Sequence, residues 1–142
     1  MRATIKGRAP RLALLALLCA SACAVRLIAE YDEHAVQEAS RLQKEMDLFL
    51  TRLGSQGGAF PARAAFYDTY ETDVRALRLR AEARPKNQIT AEQLGKIEKS
   101  VGDLREVHRA GPVSDGAARV NRDLFNAMWK AVLTLELAKK RE

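Results

Sequence analysis

Glu30, His34 and Glu38 recur four residues apart at the start of a helical pattern. On a continuous helix that spacing places two carboxylates and an imidazole on one face, a set that could hold a divalent cation. Bundle metal sites, however, draw Glu-x-x-His pairs from several helices, and neither His34 nor His108 has a glutamate three residues before it. We read the segment as an exposed polar face and assign no metal. His108 falls at a core position near a helix end, where an imidazole can pack its ring and meet the last carbonyls. The segment FYDTYETD joins aromatics to acids. Tyr70 belongs to the core pattern, while Tyr67, Asp68, Glu71 and Asp73 form a candidate partner-binding patch, with the Tyr67 ring covering a seam and its hydroxyl wet. No nucleophile is paired with a base, no glycine-rich phosphate loop follows a strand, and no carboxylate pair is singled out. No catalytic residue and no cofactor is assigned, and the expectation is a protein that is not an enzyme.

The two cysteines, Cys19 and Cys23, are spaced C-x3-C, and no other cysteine completes a zinc or redox site. Their surroundings point elsewhere. Arg2, Lys6, Arg8 and Arg11 precede an uncharged run from Leu12 to Ala22, too short for the roughly 20 residues of a spanning helix and of the length of an export signal. At Ala20-Ser21-Ala22-Cys23 the sequence resembles a bacterial lipoprotein precursor, in which three small or aliphatic residues precede a cysteine that becomes the lipidated first residue of the mature chain. The resemblance covers the first 23 residues and departs from the family at Ala20, where leucine is preferred. It implies cleavage after residue 22, acylation of Cys23, and attachment on the periplasmic side of the cell envelope, at the outer membrane. Ordinary signal peptidase accepts the same Ala-Ser-Ala, which implies instead a soluble periplasmic or secreted protein.

Cleavage leaves residues 23–142, enough for one domain with one core. Of the 24 basic residues four lie in the signal, as do none of the 18 acidic ones, so the precursor's charge of +6 falls to +2. A near-neutral mixed surface without an aromatic stacking platform argues against nucleic acid.

Four helices must position whatever this domain presents. Ile28, Ala35, Leu42 and Phe49 recur every seven residues, with Ala39, Met46 and Leu53 between them, which predicts a helix over 27–53. Gly54 to Gly58 and Pro61 form a loop. Phe66, Tyr70, Val74, Leu77 and Ala81 predict a helix over 62–84, closed by Pro85. Thr90-Ala91-Glu92-Gln93 reads as a capping box, stapled by Ile89 and Leu94, and starts a helix over 91–110 with Leu94, Ile97, Val101, Leu104 and His108 inward. Gly111-Pro112 stops it. Ser114 or Asp115 caps a helix over 115–140, whose register is Ala117, Leu124, Met128, Ala131, Leu135 and Ala138, widened by Phe125 and Val132. Asn121 falls in that buried register, and Trp129 is core or edge packing.

Long helices with short connections make an all-α, antiparallel, up-down-up-down four-helix bundle. That topology brings Arg26, Arg84, Lys86, Lys139, Lys140 and Arg141 to one end, facing the membrane beside the acylated Cys23. The helical part resembles small bacterial envelope proteins, a resemblance that carries no activity. The expected function is a lipid-anchored envelope protein acting by protein-protein interaction or scaffolding. A ligand- or metal-binding periplasmic bundle and an inhibitor or immunity-type protein are the alternatives.

Overall fold

A computed structural model describes residues 28–141, and among these the chain is a four-helix bundle with no strand. The helices are α1 (Glu33–Gln56), α2 (Ala64–Glu82), α3 (Gln88–Ala110) and α4 (Asp115–Ala138), with short 3-10 turns at Phe60–Ala62 and Lys139–Arg141. The expected export signal, Cys19, Cys23 and Arg26 lie outside the described residues.

The helix boundaries follow local chemistry. Asp32 caps α1 by accepting from the Ala35 N–H at 3.2 Å, so the helix starts at Glu33 and not near residue 27. It runs through Gly54, which the sequence assigned to the loop. A Cβ on Gly54 would stand 2.9 Å from Asp115 Oδ1 and 3.2 Å from the Ala118 Cβ, so the glycine permits a close approach to α4. Gly57 ends the helix at φ 64, the left-handed geometry that glycine adopts without a Cβ clash. Ser114 caps α4 through the Ala117 N–H at 3.2 Å.

Two expectations are corrected. The capping box at Thr90 does not form: α3 begins one turn earlier, with Asn87 at its N-cap. Thr90 is buried, and its hydroxyl donates to Glu136 at 2.6 Å, a partner that outcompetes a local backbone N–H because Glu136 is itself buried. Ile89, expected as a staple, is 59% exposed.

α4 also turns a different face inward. Ala118, Phe125, Trp129, Val132 and Glu136 are its buried residues, whereas Leu124, Ala131 and Ala138 face solvent. Burying Trp129 and Phe125 removes more apolar surface than burying the alanine-rich heptad, so the bulkier face wins. Asn121, half-buried, returns its amide to the Ala117 carbonyl at 2.9 Å.

The core is otherwise as the spacing predicts: Leu42, Met46 and Leu53 from α1, Tyr70, Val74 and Leu77 from α2, and Leu94, Ile97, Val101, Leu104 and His108 from α3. Two hydrogen-bonded chains cross it. Trp129 Nε1 donates to the Tyr70 hydroxyl at 2.9 Å, and that hydroxyl donates to the Leu42 carbonyl at 3.0 Å. His108 Nε2 lies 2.9 Å from the Gly58 carbonyl, which can only accept, so Nε2 carries a proton; Nδ1 lies 3.1 Å from the Tyr67 hydroxyl.

Candidate functional site: the polar end of the bundle

The end of the bundle where the described chain begins concentrates its buried polar groups. Asp32 is 7% exposed and receives Arg80 Nε at 2.8 Å and Arg84 Nη1 at 2.6 Å. The Arg80 hydrogen bond, opposed by desolvation and aided by the Ala35 N–H and both guanidinium charges, lowers its pKa from the ordinary 3.8 to about 2. Arg84 Nη2 also donates to the Glu30 carbonyl at 2.7 Å, and Ala29 N–H donates to the Lys86 carbonyl at 3.2 Å. The strand of chain before α1 is thereby fastened to the turn between α2 and α3.

A second cluster lies beneath it. Glu136 and Lys139, both buried, form an ion pair one turn apart at the end of α4. Lys139 Nζ also donates to the Asn87 side-chain carbonyl and to Thr90 Oγ1, the latter at 3.1 Å, and Asn87 Nδ2 donates to the Ala81 carbonyl at 3.2 Å. A narrow crevice of about 10 Å³, room for no more than about one water, runs between the clusters, lined by Asp32, Arg80, Arg84, Asn87, Thr90 and Glu136 among others. Each carboxylate here already faces a cation, and the Thr90 hydroxyl is spent on Glu136. The arrangement locks four segments together; it does not present an activated nucleophile or a vacant ligand set.

The sequence candidates are placed as follows. Glu30 precedes α1 and so does not share a helix face with His34 and Glu38; Glu38 pairs with Arg41 at 2.8 Å. The residues of the expected partner patch divide between core and surface. Tyr67 is 0% exposed, not a boundary residue, because its ring fills the space beside Phe49 and Phe60. Asp68 and Glu71 both receive Arg105, at 2.6 and 3.0 Å, and Asp73 receives Arg41 at 2.8 Å. Of the basic end, Lys139 is 6% exposed and turned to Glu136, and Arg84 is turned to Asp32, because each neutralises a buried carboxylate. Lys86, Lys140 and Arg141 are exposed, Lys140 lying 5.4 Å over the Tyr31 ring.

Sequence reasoning did not find the Asp32, Arg80 and Arg84 cluster or the Thr90 to Glu136 bond. The second had a trace: Glu136 and Lys139 continue the spacing of Phe125, Trp129 and Val132. Among the described residues no helix is long and apolar enough to cross a membrane. No protein-family model, curated protein or solved structure matches the chain.

Proposed function

We propose that this chain is an exported, lipid-anchored bacterial envelope protein that acts by binding protein partners, with a four-helix bundle of up-down-up-down order held against the membrane. The export signal and acylation site rest on the basic N-terminus, the Leu12 to Ala22 run and Ala20-Ser21-Ala22-Cys23. The carrying observation is the short link between that cysteine and a fixed point of the fold. Cys23 stands five positions before Ile28, and from Ala29 onward the chain is fastened to the α2–α3 turn. Five residues reach at most about 17 Å, so an acylated Cys23 holds the bundle close to the bilayer instead of letting it hang on a tether.

Contacts between helices support the antiparallel order. Asp32 meets Arg80 and Arg41 meets Asp73 between α1 and α2. Glu71 meets Arg105 and Arg78 meets Glu98 between α2 and α3. Lys86, Lys140 and Arg141 remain exposed toward anionic headgroups at the Cys23 end, where each basic residue contributes up to about 1 kcal/mol. Acyl chains, at about 0.8 kcal/mol per buried methylene, dominate attachment. The binding half of the function is supported by the polar clusters being spent on each other while apolar side chains, Val120 and Leu124 among them, face solvent.

Fractionation of cells carrying Cys23→Ala tests this reading. The variant is expected in the soluble fraction, or stalled as precursor, while Cys19→Ala leaves the mature protein in the membrane fraction. A processed Cys23→Ala chain that stays with the membrane as wild type does would contradict it.

A further inference from the structure

The apolar heptad of α4 that the bundle does not bury forms a continuous outer stripe. Val120 and Leu124 are 69% and 47% exposed, Ala127 and Ala131 are exposed, and Met128 and Leu135 are half-buried along its inner border. At about 100° per residue, Leu124 lies some 200° around the helix from Asn126, whose side chain meets Gln43 and Asp47 of α1 at 2.6 and 2.7 Å. The stripe therefore faces away from α1. On α3, Ile89 and Val107 are 59% and 61% exposed. Each stands nine residues, about half a turn beyond two full turns, from Glu98, which faces Arg75 and Arg78 of α2. Both helices thus leave apolar side chains on the outer face along which α3 and α4 adjoin.

Charge identifies what covers this face. Asp123 and Lys130 flank the stripe on its outer edge, seven residues apart and exposed, and among the described residues neither forms an ion pair. We propose that the face docks a second copy of this chain, α4 against α4, antiparallel about a two-fold axis. In that register Leu124 packs against Ala127 of the second copy and Val120 against Ala131, each large side chain opposite a small one, and Asp123 of each copy meets Lys130 of the other. A parallel pairing sets Asp123 beside Met128 and Lys130 beside Leu135, leaving both charges unmatched, so the flanking charges select the antiparallel arrangement. From Val120 to Leu135 the stripe is about 22 Å long, which is short of a standard interface even with the α3 border, so the dimer is of roughly micromolar strength.

This deepens the binding half of the function proposed above and does not depend on the anchor.

Sedimentation velocity of the full chain across about two decades of concentration around that strength tests the proposal. The expected result is a reversible dimer. Asp123→Lys creates two like-charge contacts across the axis and weakens it about tenfold; Asp123→Lys together with Lys130→Asp restores it. Both leave the helical spectrum and unfolding midpoint near wild type, and Leu124→Glu gives a monomer. A wild-type monomer at every concentration, a dimer indifferent to Asp123→Lys, or a double swap no better than the single one would overturn the proposal. A monomer that still fractionates with membranes refutes the dimer while leaving the anchor standing; a dimer whose processed Cys23→Ala chain stays with the membrane as wild type does supports the dimer while refuting the anchor.

Discussion

The Trp129 indole donates its N–H to the Tyr70 hydroxyl at 2.9 Å, and Tyr70 in turn donates to the Leu42 carbonyl, so one phenol joins α4, α2 and α1 inside the core. Burial raises the pKa of that phenol, which keeps it a neutral donor across the physiological range. Tyr70→Phe removes the oxygen and strands the buried indole N–H, while the Leu42 carbonyl keeps its bond within α1. The expected cost is about 1–3 kcal/mol, read as a lower denaturant midpoint with an unchanged slope. An unchanged midpoint would mean that water replaces the hydroxyl.

Glu136 and Lys139 make a buried ion pair that should cost far more to halve than to delete. Lys139→Met leaves the Glu136 carboxylate beside Thr90 without its cation, a loss of about 3–5 kcal/mol. Glu136→Leu combined with Lys139→Met removes both charges and should recover most of that loss. Equilibrium urea unfolding of the single and double variants gives the comparison. Equal losses in both would place the stabilising contact elsewhere.

Acid stability should carry the signature of Asp32. Its pKa is lower in the folded chain, about 2 against an ordinary 3.8, so the folded state binds fewer protons. The stabilisation is complete above about pH 4 and is lost as pH falls through about 2, a contribution of about 1–2 kcal/mol. Asp32→Asn should therefore unfold more easily at neutral pH and lose the corresponding part of the wild-type acid slope. Parallel pH profiles for the two proteins would remove Asp32 from the account.

Two glycines should respond with opposite signs to alanine. A Cβ at Gly102, within α3, meets nothing within 4 Å, so Gly102→Ala should stabilise by about 0.5–1 kcal/mol through helix propensity and unfolded-state entropy. Gly57 also has open space but sits at φ 64, so Gly57→Ala should destabilise by about 1 kcal/mol through backbone strain. Thermal unfolding of both variants decides this.

Three helix cores were legible because apolar side chains there repeat with little competition. Leu94, Ile97, Val101, Leu104 and His108 fall on one face whatever the rest of the chain does, and all are buried. α4 misled because it carries two adjacent apolar faces; periodicity favoured the regular heptad through Leu124, while tertiary packing buried the face with Trp129 and Phe125. Thr90 misled because a capping-box pattern describes a local competition, and a buried carboxylate forty-six residues away won it. The polar end was the least legible part. Asp32 comes from the start of α1 and Arg80 and Arg84 from the end of α2, and no spacing within one segment announces that the two ends meet.

Mass spectrometry of the mature N-terminal peptide, taken from the membrane fraction, tests the proposed anchor most directly. The account predicts that the peptide begins at Cys23 and carries acyl chains on its sulfur and its amine. A peptide that begins at Cys23 with a free thiol, or a chain that retains residues 1–22, would contradict it.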